Sequence, residues 1–191
     1  METEKIIEKA RNFVDEEAKK TYNIWGHDFF ALHIVEMHDY AKILAEKLRA
    51  DVEVVELAAW LHDIGAITYG RKDHHITGAK IAEEKLREFG YPEDKIALVK
   101  KCVLNHRGSQ TSRKESVEEK IIADADAISA FEHIQGLFFA AYVSERRGQR
   151  DARDSVRNKL RNSWNKLSFP ESRELVKEKY GAAMLLLGGR E

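Results

Sequence analysis

Apolar residues along this 191-residue chain recur at steps of three and four positions over long segments, and they rarely alternate with polar ones. Only two Pro and eleven Gly interrupt these segments. Steps of this length place apolar side chains on one face of an α-helix, so the pattern predicts an all-α protein. The clearest example spans residues 28–50, with apolar positions at Phe30, Ile34, Met37, Ala41, Leu44 and Leu48.

Turn and capping residues divide the chain into about eight to nine helices. Asp51 is typical of an N-cap, and Ser116 with Glu119 and Ser168 with Glu171 have the spacing of a capping box. No internal repeat or long linker is evident, so we expect one helical bundle over residues 1–191. Gly65 and Gly70 are expected in a loop, and the helix after it carries Ile81, Ala82 and Leu86 and stops at Gly90. The other predicted helices lie near residues 3–20, 28–50, 51–63, 92–106, 117–131, 132–147, 151–167 and 171–187.

Composition excludes several classes of protein. The 32 Lys and Arg residues nearly balance the 33 Asp and Glu residues, which argues against a chain devoted to polyanion binding. The 43% apolar content argues against disorder, and a single Cys excludes a disulfide framework and a cysteine-rich zinc module. The N-terminus lacks the pattern of a secretion signal, and no apolar run is long enough for a membrane span. We therefore expect a cytoplasmic protein.

The dipeptide His-Asp occurs three times, at 27–28, 38–39 and 62–63. In the first pair the Asp is explained as an N-cap, and the second lies beside the apolar stripe of its helix, where we predict a solvent-exposed pair. The third follows the apolar run 57–61 and precedes Ile64. A carboxylate in that setting is costly unless a positive charge lies against it. A metal ion accepts both imidazole and carboxylate, so 62–63 is a candidate metal site.

Two further polar residues lie on apolar helix faces. His33 falls between Phe30 and Met37, and Asp124 falls between Ile121 and Ile128. A lone His on an apolar face is usually a core residue, but an unpaired buried carboxylate is rare. The two residues therefore extend the candidate metal set to His33, His62, Asp63 and Asp124.

This ordered series resembles the HD-domain metal-dependent phosphohydrolases, whose pattern is a His, then a His-Asp pair, then a distant Asp. The resemblance covers about residues 27–135, and the C-terminal extension at about 136–191 matches no motif of that family. Glu36 stands where many members carry Arg. The resemblance implies a helical bundle with a metal site between helices. The matching stretches are 33–37, 57–65 and 122–128, with further similarity at 74–79 and 103–107.

The resemblance implies that His33, His62, Asp63 and Asp124 hold a divalent ion. Asp63 is the residue best placed to bridge a second ion or to orient the attacking water, so it is a predicted catalytic residue. One or two ions per chain are expected. Mixed nitrogen and oxygen ligands admit Mn, Mg, Co, Ni, Fe or Zn.

Three more histidines are candidates around the same site. His106 lies on the inward face of its predicted helix with Val103 and Val99. It is predicted to act as a second-metal ligand, a phosphate contact or a general acid, with a core histidine as the alternative. His74 and His75 lie at a helix start, and we favour His74 over His75 as a ligand of a second metal.

Candidate phosphate-binding residues are Arg71, Lys72 and Arg107, each in a loop beside a predicted site helix. The alternative is that they are ordinary surface charges. Asp126, two residues past Asp124, is interpreted as a hydrogen-bonding support and not as a ligand.

Two other residues receive no role at the site. Cys102 lies on an apolar face and is predicted to be buried and unreactive. His133 looks exposed by its position in the pattern.

The C-terminal third carries a stripe of five arginines at helical spacing. It is interpreted as a solvated face, and the alternative is a surface that binds nucleic-acid phosphates or an acidic partner in a dimer. The stripe comprises Arg146, Arg150, Arg153, Arg157 and Arg161.

The leading functional hypothesis is a divalent-metal phosphohydrolase that cleaves a phosphate ester of a nucleotide or another small phosphorylated metabolite. A metal-dependent phosphodiesterase or nuclease acting on oligonucleotides would use the same centre, so nucleic acid is a less favoured partner. A regulatory module that binds metal or nucleotide is the non-enzymatic alternative. A homodimer is compatible with the sequence.

Overall fold

A computed structural model describes residues 2–107 and 114–188. Within these ranges the chain is helical and has no strand, which confirms the all-α prediction. The helices are α1 (Glu2–Ala18), α2 (π-helical over Phe30–Val35 and α-helical over Glu36–Leu48), α3 (Val52–Leu61), α4 (Ile64–Tyr69), α5 (His74–Glu88), α6 (Glu93–Asn105), α7 (Val117–Glu132), α8 (Ile134–Phe139, continuing as π-helical Ala140–Ser144), α9 (Gln149–Lys166) and α10 (Pro170–Leu186). The predicted polar loop at 107–115 falls largely outside the described residues.

Helix α3 is the centre of the bundle. Every residue from Val54 to Leu61 is buried, and α3 packs against α1, α2, α6 and α7. The Oδ1 atom of Asp51 accepts a hydrogen bond from Val54 N at 3.2 Å, as an N-cap does. A helix that is apolar nearly all round requires neighbours on every side. Its C-terminal end, where His62 and Asp63 follow, therefore lies inside the protein.

The prediction for the 38–39 pair is wrong for His38. Its side chain is buried, and its ring lies 4.2 Å from the Trp60 ring, centroid to centroid. Its Nε2 lies 3.0 Å from Oε1 of Glu56, which also accepts a hydrogen bond from Lys42. The pattern of α2 alone could not reveal this burial because the charged partner belongs to α3.

The residues around Gly65 form the short helix α4, although we expected a loop there. Gly65 packs directly against the first turns of α5, where a Cβ atom added to it would lie 2.2 Å from the carbonyl oxygen of His74 and 2.6 Å from Gly78 N. Only glycine permits this approach of the two backbones. The contact holds α4, and with it Asp63, beside His74.

We expect Gly65→Ala to destabilise the protein by about 2 kcal/mol, because the added methyl group must force α4 away from α5. Urea unfolding monitored by circular dichroism measures the change. Gly181→Ala in α10 is the matched control, because nothing lies within 4 Å of its added Cβ atom. A Gly65→Ala variant as stable as the control would contradict the close packing.

Helices α9 and α10 pack on α7, and the buried apolar side chains form one continuous cluster from α1 to the end of α10. The capping box at Ser116 is confirmed. The one predicted at Ser168 is wrong, because α10 begins with Pro170 at its first position and Phe169 as an N-cap without a side-chain hydrogen bond. Its N-terminus is capped by a side chain of α7.

The arginine stripe is shorter than predicted. Arg146 has a φ of 52° and precedes α9, so only the four later arginines share that helix. Arg157 is half-buried and donates to the carbonyl oxygen of Leu187, whereas Arg150, Arg153 and Arg161 are exposed.

Among the described residues, no helix combines the length and the apolar composition that crossing a membrane requires.

Candidate metal centre

Asp63 lies at the junction of α3 and α4, where the backbone leaves one helix and enters the next. His62, the C-cap residue of α3, is fully buried, and the Asp63 side chain is 14% exposed. This position puts the Asp63 carboxylate at the boundary between the apolar core and an open cavity. Both of its oxygen atoms face imidazole rings.

The first group of ligand atoms lies around Oδ2 of Asp63. Nε2 of His33 lies 3.4 Å from this oxygen and 3.2 Å from Nε2 of His62. Nε2 of His62 is 3.7 Å from the same oxygen. Oδ1 of Asp126 lies 3.7 Å from Nε2 of His33 and so faces the same space. Two imidazoles and two carboxylates from α2, the α3–α4 junction and α7 therefore converge.

The second group lies around Oδ1 of Asp63. Nε2 of His74, at the start of α5, is 3.3 Å from this oxygen, and Nε2 of His106, at the end of α6, is 3.7 Å from it. The two Nε2 atoms are 3.2 Å apart. Asp63 thus offers one oxygen to each group, as a carboxylate that bridges two ions would.

Local hydrogen bonds fix the tautomer of three of these histidines. Each Nδ1 contacts a backbone carbonyl oxygen, which can only accept, so Nδ1 carries the proton and Nε2 keeps a free lone pair. Each carbonyl belongs to the residue three positions earlier in the same turn. The contacts are His62 Nδ1 with Ala59 O (2.8 Å), His74 Nδ1 with Arg71 O (2.9 Å) and His106 Nδ1 with Val103 O (2.6 Å).

A hydroxyl group fixes the tautomer of His33 with a proton on Nδ1. Oγ of Ser129 donates to the carbonyl oxygen of Asp126 at 2.9 Å, which leaves it free to accept from Nδ1–H of His33 at 3.1 Å. Once His33 is neutral, its Nε2 therefore carries the lone pair. Ser129 carried no sequence signal of its own, but it lies three residues after Asp126 and on the same side of α7.

The positions of the Nε2 lone pairs show whether the residues fit a metal ion. When these histidines are neutral, two Nε2 lone pairs face each other at 3.2 Å in each group. Such an arrangement is repulsive unless a cation lies among the nitrogen and carboxylate atoms. In each group the three ligand atoms from Asp63 and its two histidines lie within 4.8 Å of one another. The residues therefore fit a divalent ion in each group, with outer hydrogen bonds that orient the imidazoles.

The ionisation of these groups also suits metal binding. Burial lowers the pKa of His62 to about 4, so its imidazole is neutral near pH 7. Burial opposes the ionisation of Asp63, but the positive charge that His62 gains at acidic pH and the hydrogen bond with His33 together hold the pKa of that carboxyl well below its usual range. A neutral imidazole and an ionised carboxylate are the forms that ligate metals.

We expect metal affinity to fall with acidification, because His33 must lose a proton to bind. Burial lowers the pKa of His33, but the hydrogen bond and charge of Asp63 and the charge of Asp126 raise it overall. Below that raised pKa, displacement of one proton weakens binding about tenfold per pH unit. Calorimetric titration with Mn²⁺ at several pH values measures this slope, and an affinity that does not change with pH would contradict it.

Asp124 is not part of either group, and its assignment as a metal ligand is corrected. It is 1% exposed, and its carboxylate accepts hydrogen bonds from the backbone amides of Ser168 at 2.8 Å and Phe169 at 3.1 Å. It therefore caps the N-terminus of α10. The capping amides and the helix dipole, not a metal ion, explain this buried carboxylate. Asp126, which we had interpreted as a support, is the α7 carboxylate that faces His33.

The structure also shows which of the remaining candidate residues belong to a ligand group and which do not. His106 and His74 join the second group, and the position of His106 Nε2 fits a ligand better than a general acid. His75 is buried but is not part of that group, and its Nδ1 has no hydrogen-bond partner among the described residues. Cys102 is buried as predicted, and burial raises the pKa of its thiol.

Both groups open into a cavity of about 900 Å³ between the α2, α7, α8 and α9 helices. Of the predicted phosphate-binding residues, Arg71 and Arg107 line it and Lys72 does not. Sequence reasoning missed the lysines of the cavity wall, because they come from segments distant in sequence with no common motif. Within the described ranges, the basic side chains of the wall are Arg71, Arg107, Lys114, Lys159 and Lys166.

A family model matches the part of the chain that carries these residues. The model of the HD domain matches residues 30–130, more than half of the chain. The chain belongs to the HD-domain family. The match ends within α7, so α8, α9 and α10 lie outside the matched HD domain.

Individual relatives and structures are similar over different extents. Ribonuclease Y of Alkaliphilus metalliredigens is 32% identical over 100 residues, covering 51% of this chain and 19% of that protein. YpgQ of Bacillus subtilis, solved in complex with ADP, has a TM-score of 0.77 at 22% identity, covering 98% of this chain and 94% of that one. An HD-superfamily hydrolase of Bacillus thuringiensis has a TM-score of 0.74 at 21% identity, covering 98% and 95%.

The structural likeness extends over α8, α9 and α10 as well as the HD domain, so it shows the fold of the whole described chain. The chain spans between 11% and 62% of the length of the curated relatives it matches.

Proposed function

We propose that this HD-domain protein is a divalent-metal-dependent phosphohydrolase that cleaves a phosphate ester of a nucleotide or another small phosphorylated metabolite. The observation that carries the proposal is the Asp63 carboxylate, which presents one oxygen to each of two histidine pairs at the floor of a basic cavity. Divalent ions, when bound, act as Lewis acids and lower the pKa of water toward neutrality.

The protein's own residues would supply position and charge. His33, His62 and Asp126 would hold one ion, His74 and His106 the other, and Asp63 both. Their fixed tautomers mean that no histidine must rearrange before binding. The guanidinium groups of Arg71 and Arg107 line the same cavity and would orient the phosphoryl group and offset its charge.

The cavity also suits a small substrate in size. Its volume of about 900 Å³ is comparable with that of a nucleotide-sized ligand site. YpgQ, which shares the fold, was solved with ADP, and this supports a nucleotide as the substrate class.

The test is a screen of purified protein against nucleoside mono-, di- and triphosphates, cyclic dinucleotides and 4-nitrophenyl phosphate. Each substrate is incubated with Mn²⁺, Mg²⁺, Co²⁺, Ni²⁺, Fe²⁺ or Zn²⁺ and, in parallel, with a chelator. We expect phosphate or pyrophosphate release that depends on the metal. Hydrolysis that continues in the chelator and after Asp63→Ala would refute the proposal.

A nuclease is the second candidate, favoured by the similarity to ribonuclease Y and by the exposed arginines of α9. Short RNA and DNA oligonucleotides are the discriminating substrates. Under this alternative, reversing the charges of Arg150, Arg153 and Arg161 would weaken cleavage of oligonucleotides and reduce its salt dependence. Under the leading proposal the same variant hydrolyses mononucleotides at the wild-type rate.

A further inference from the structure

A run of stacked aromatic rings leads from the metal centre along the cavity wall. The ring centroid of Phe29 lies 4.8 Å from that of His33, and the centroid of Trp25 lies 6.0 Å from that of Phe29. The ring planes of Phe29 and His33 differ by 30°, and those of Trp25 and Phe29 differ by 29°. All three residues line the cavity. This aromatic run, Trp25–Phe29–His33, begins at a predicted metal ligand and extends away from it.

The turn that carries Trp25 is held in a fixed shape. Asn23 is buried, and its Nδ2 donates to the carbonyl oxygens of Ala18 at 2.9 Å and Gly26 at 3.0 Å. Its Oδ1 accepts from the backbone amide of Trp25 at 3.1 Å. Gly26 has a φ of 75°, which favours glycine. The indole is therefore presented to the cavity by a preformed turn.

Trp25 also carries a polar group without a partner. Its Nε1–H is buried and makes no hydrogen bond within the described residues. A buried donor left unpaired is costly, so a ligand in the cavity that accepts this hydrogen bond would remove the cost.

His133 is the second such residue on the cavity wall. It lies at the break between α7 and α8, where its φ and ψ of −111° and 45° separate the two helices. Its Nδ1 is buried and lacks a partner in the part of the chain that the structure describes. The ring lies over Gly136, where an added Cβ atom would be 2.1 Å from Nε2. Gly136 therefore leaves room for the imidazole.

From these contacts we propose that the aromatic run and His133 form the subsite for the nucleoside part of the substrate, with the base on Trp25 and Phe29. This inference rests on the proposed function and adds where the non-reacting part of the substrate binds. Aromatic rings on the cavity wall with unpaired nitrogen groups beside them suit a nucleobase, which offers both an aromatic face and hydrogen-bonding edges. The phosphate would then lie toward His33 and the metal groups.

The test separates nucleoside binding from phosphate binding. Calorimetric titrations use adenosine, guanosine, cytidine and uridine as one set of probes and inorganic phosphate with Mg²⁺ as the other. We expect Trp25→Leu and His133→Ala to weaken nucleoside binding about tenfold or more, while Trp25→Phe, which retains a stacking ring, loses less. Ile24→Ala and His27→Ala are matched controls, because neither residue lines the cavity.

A kinetic comparison provides the second readout. The ratio of kcat/KM for a nucleoside monophosphate to that for 4-nitrophenyl phosphate should fall about tenfold in Trp25→Leu. Unaltered nucleoside affinity in both variants would overturn the subsite. So would an equal loss of nucleoside and phosphate affinity, which would mean that these residues only support His33. Failure of the proposed function is distinct, because it would appear as the absence of metal-dependent hydrolysis in the wild-type protein.

Discussion

Asp63→Ala should reduce metal-dependent hydrolysis by about a thousandfold or more, equivalent to about 4 kcal/mol of lost transition-state stabilisation. Its two oxygens face the two histidine pairs at 3.4 and 3.3 Å, so one substitution removes a ligand from both groups. Metal binding at both should weaken together. Steady-state kinetics and calorimetric titration with Mn²⁺ measure the two effects.

Asp39→Ala is the matched control for this variant. It belongs to another His-Asp pair of the chain, but its side chain is 66% exposed and lies outside the cavity. We expect its activity to match that of the wild type. A full complement of tightly bound metal in Asp63→Ala would show that the carboxylate does not bridge the two groups.

Asp126→Ala should mainly reduce activity and Asp124→Ala should mainly reduce stability, although the two residues are nearly adjacent on α7. The Asp126 side chain is 33% exposed and faces His33, so its loss should reduce activity about a hundredfold or more with little change in stability. Loss of Asp124 leaves the backbone amides of Ser168 and Phe169 without their acceptor and should destabilise the protein by about 2 kcal/mol or more. Kinetics and urea unfolding are measured on both variants.

Asp124→Asn refines the comparison, because the amide oxygen still accepts from one backbone amide. It should recover part of the stability and retain metal binding. The corrected assignment would be contradicted if Asp124→Ala remained as stable as the wild type and lost its metal while Asp126→Ala kept it.

The helices could be predicted because their apolar faces and caps are local features. The α2 apolar stripe and the Asp51 N-cap lie within single elements, and each was correct. The same periodicity placed His33 on an inward face of α2 and His62 and Asp63 at the end of a helix buried on all sides. These three residues lie together because the apolar faces of α2 and α3 pack against each other.

The error between Asp124 and Asp126 has a physical cause. Helix α7 packs against α2 on one side and α9 and α10 on the other, so it has more than one inward face. Residues on an apolar helix face point into the core, and Asp124 points into it toward the start of α10. A ligand must instead reach the edge of the core, where an ion and water can enter. A single helix pattern does not tell which neighbour each face meets.

The residues of the cavity wall could not be predicted from the sequence for a related reason. Lys114, Lys159 and Lys166 come from a loop and from α9, and Trp25 comes from the turn before α2. No spacing links them along the chain. They become neighbours only when α9 packs on α7, which is a consequence of the tertiary fold.

Anomalous diffraction from crystals grown with Mn²⁺ would locate the ions relative to Asp63. We expect two ions about 3.5–4 Å apart, one bound to each oxygen of Asp63. His33, His62 and Asp126 should surround one ion, and His74 and His106 the other. An ion bound by Asp124, or ions that do not contact Asp63, would show that Asp63 does not bridge a two-metal centre.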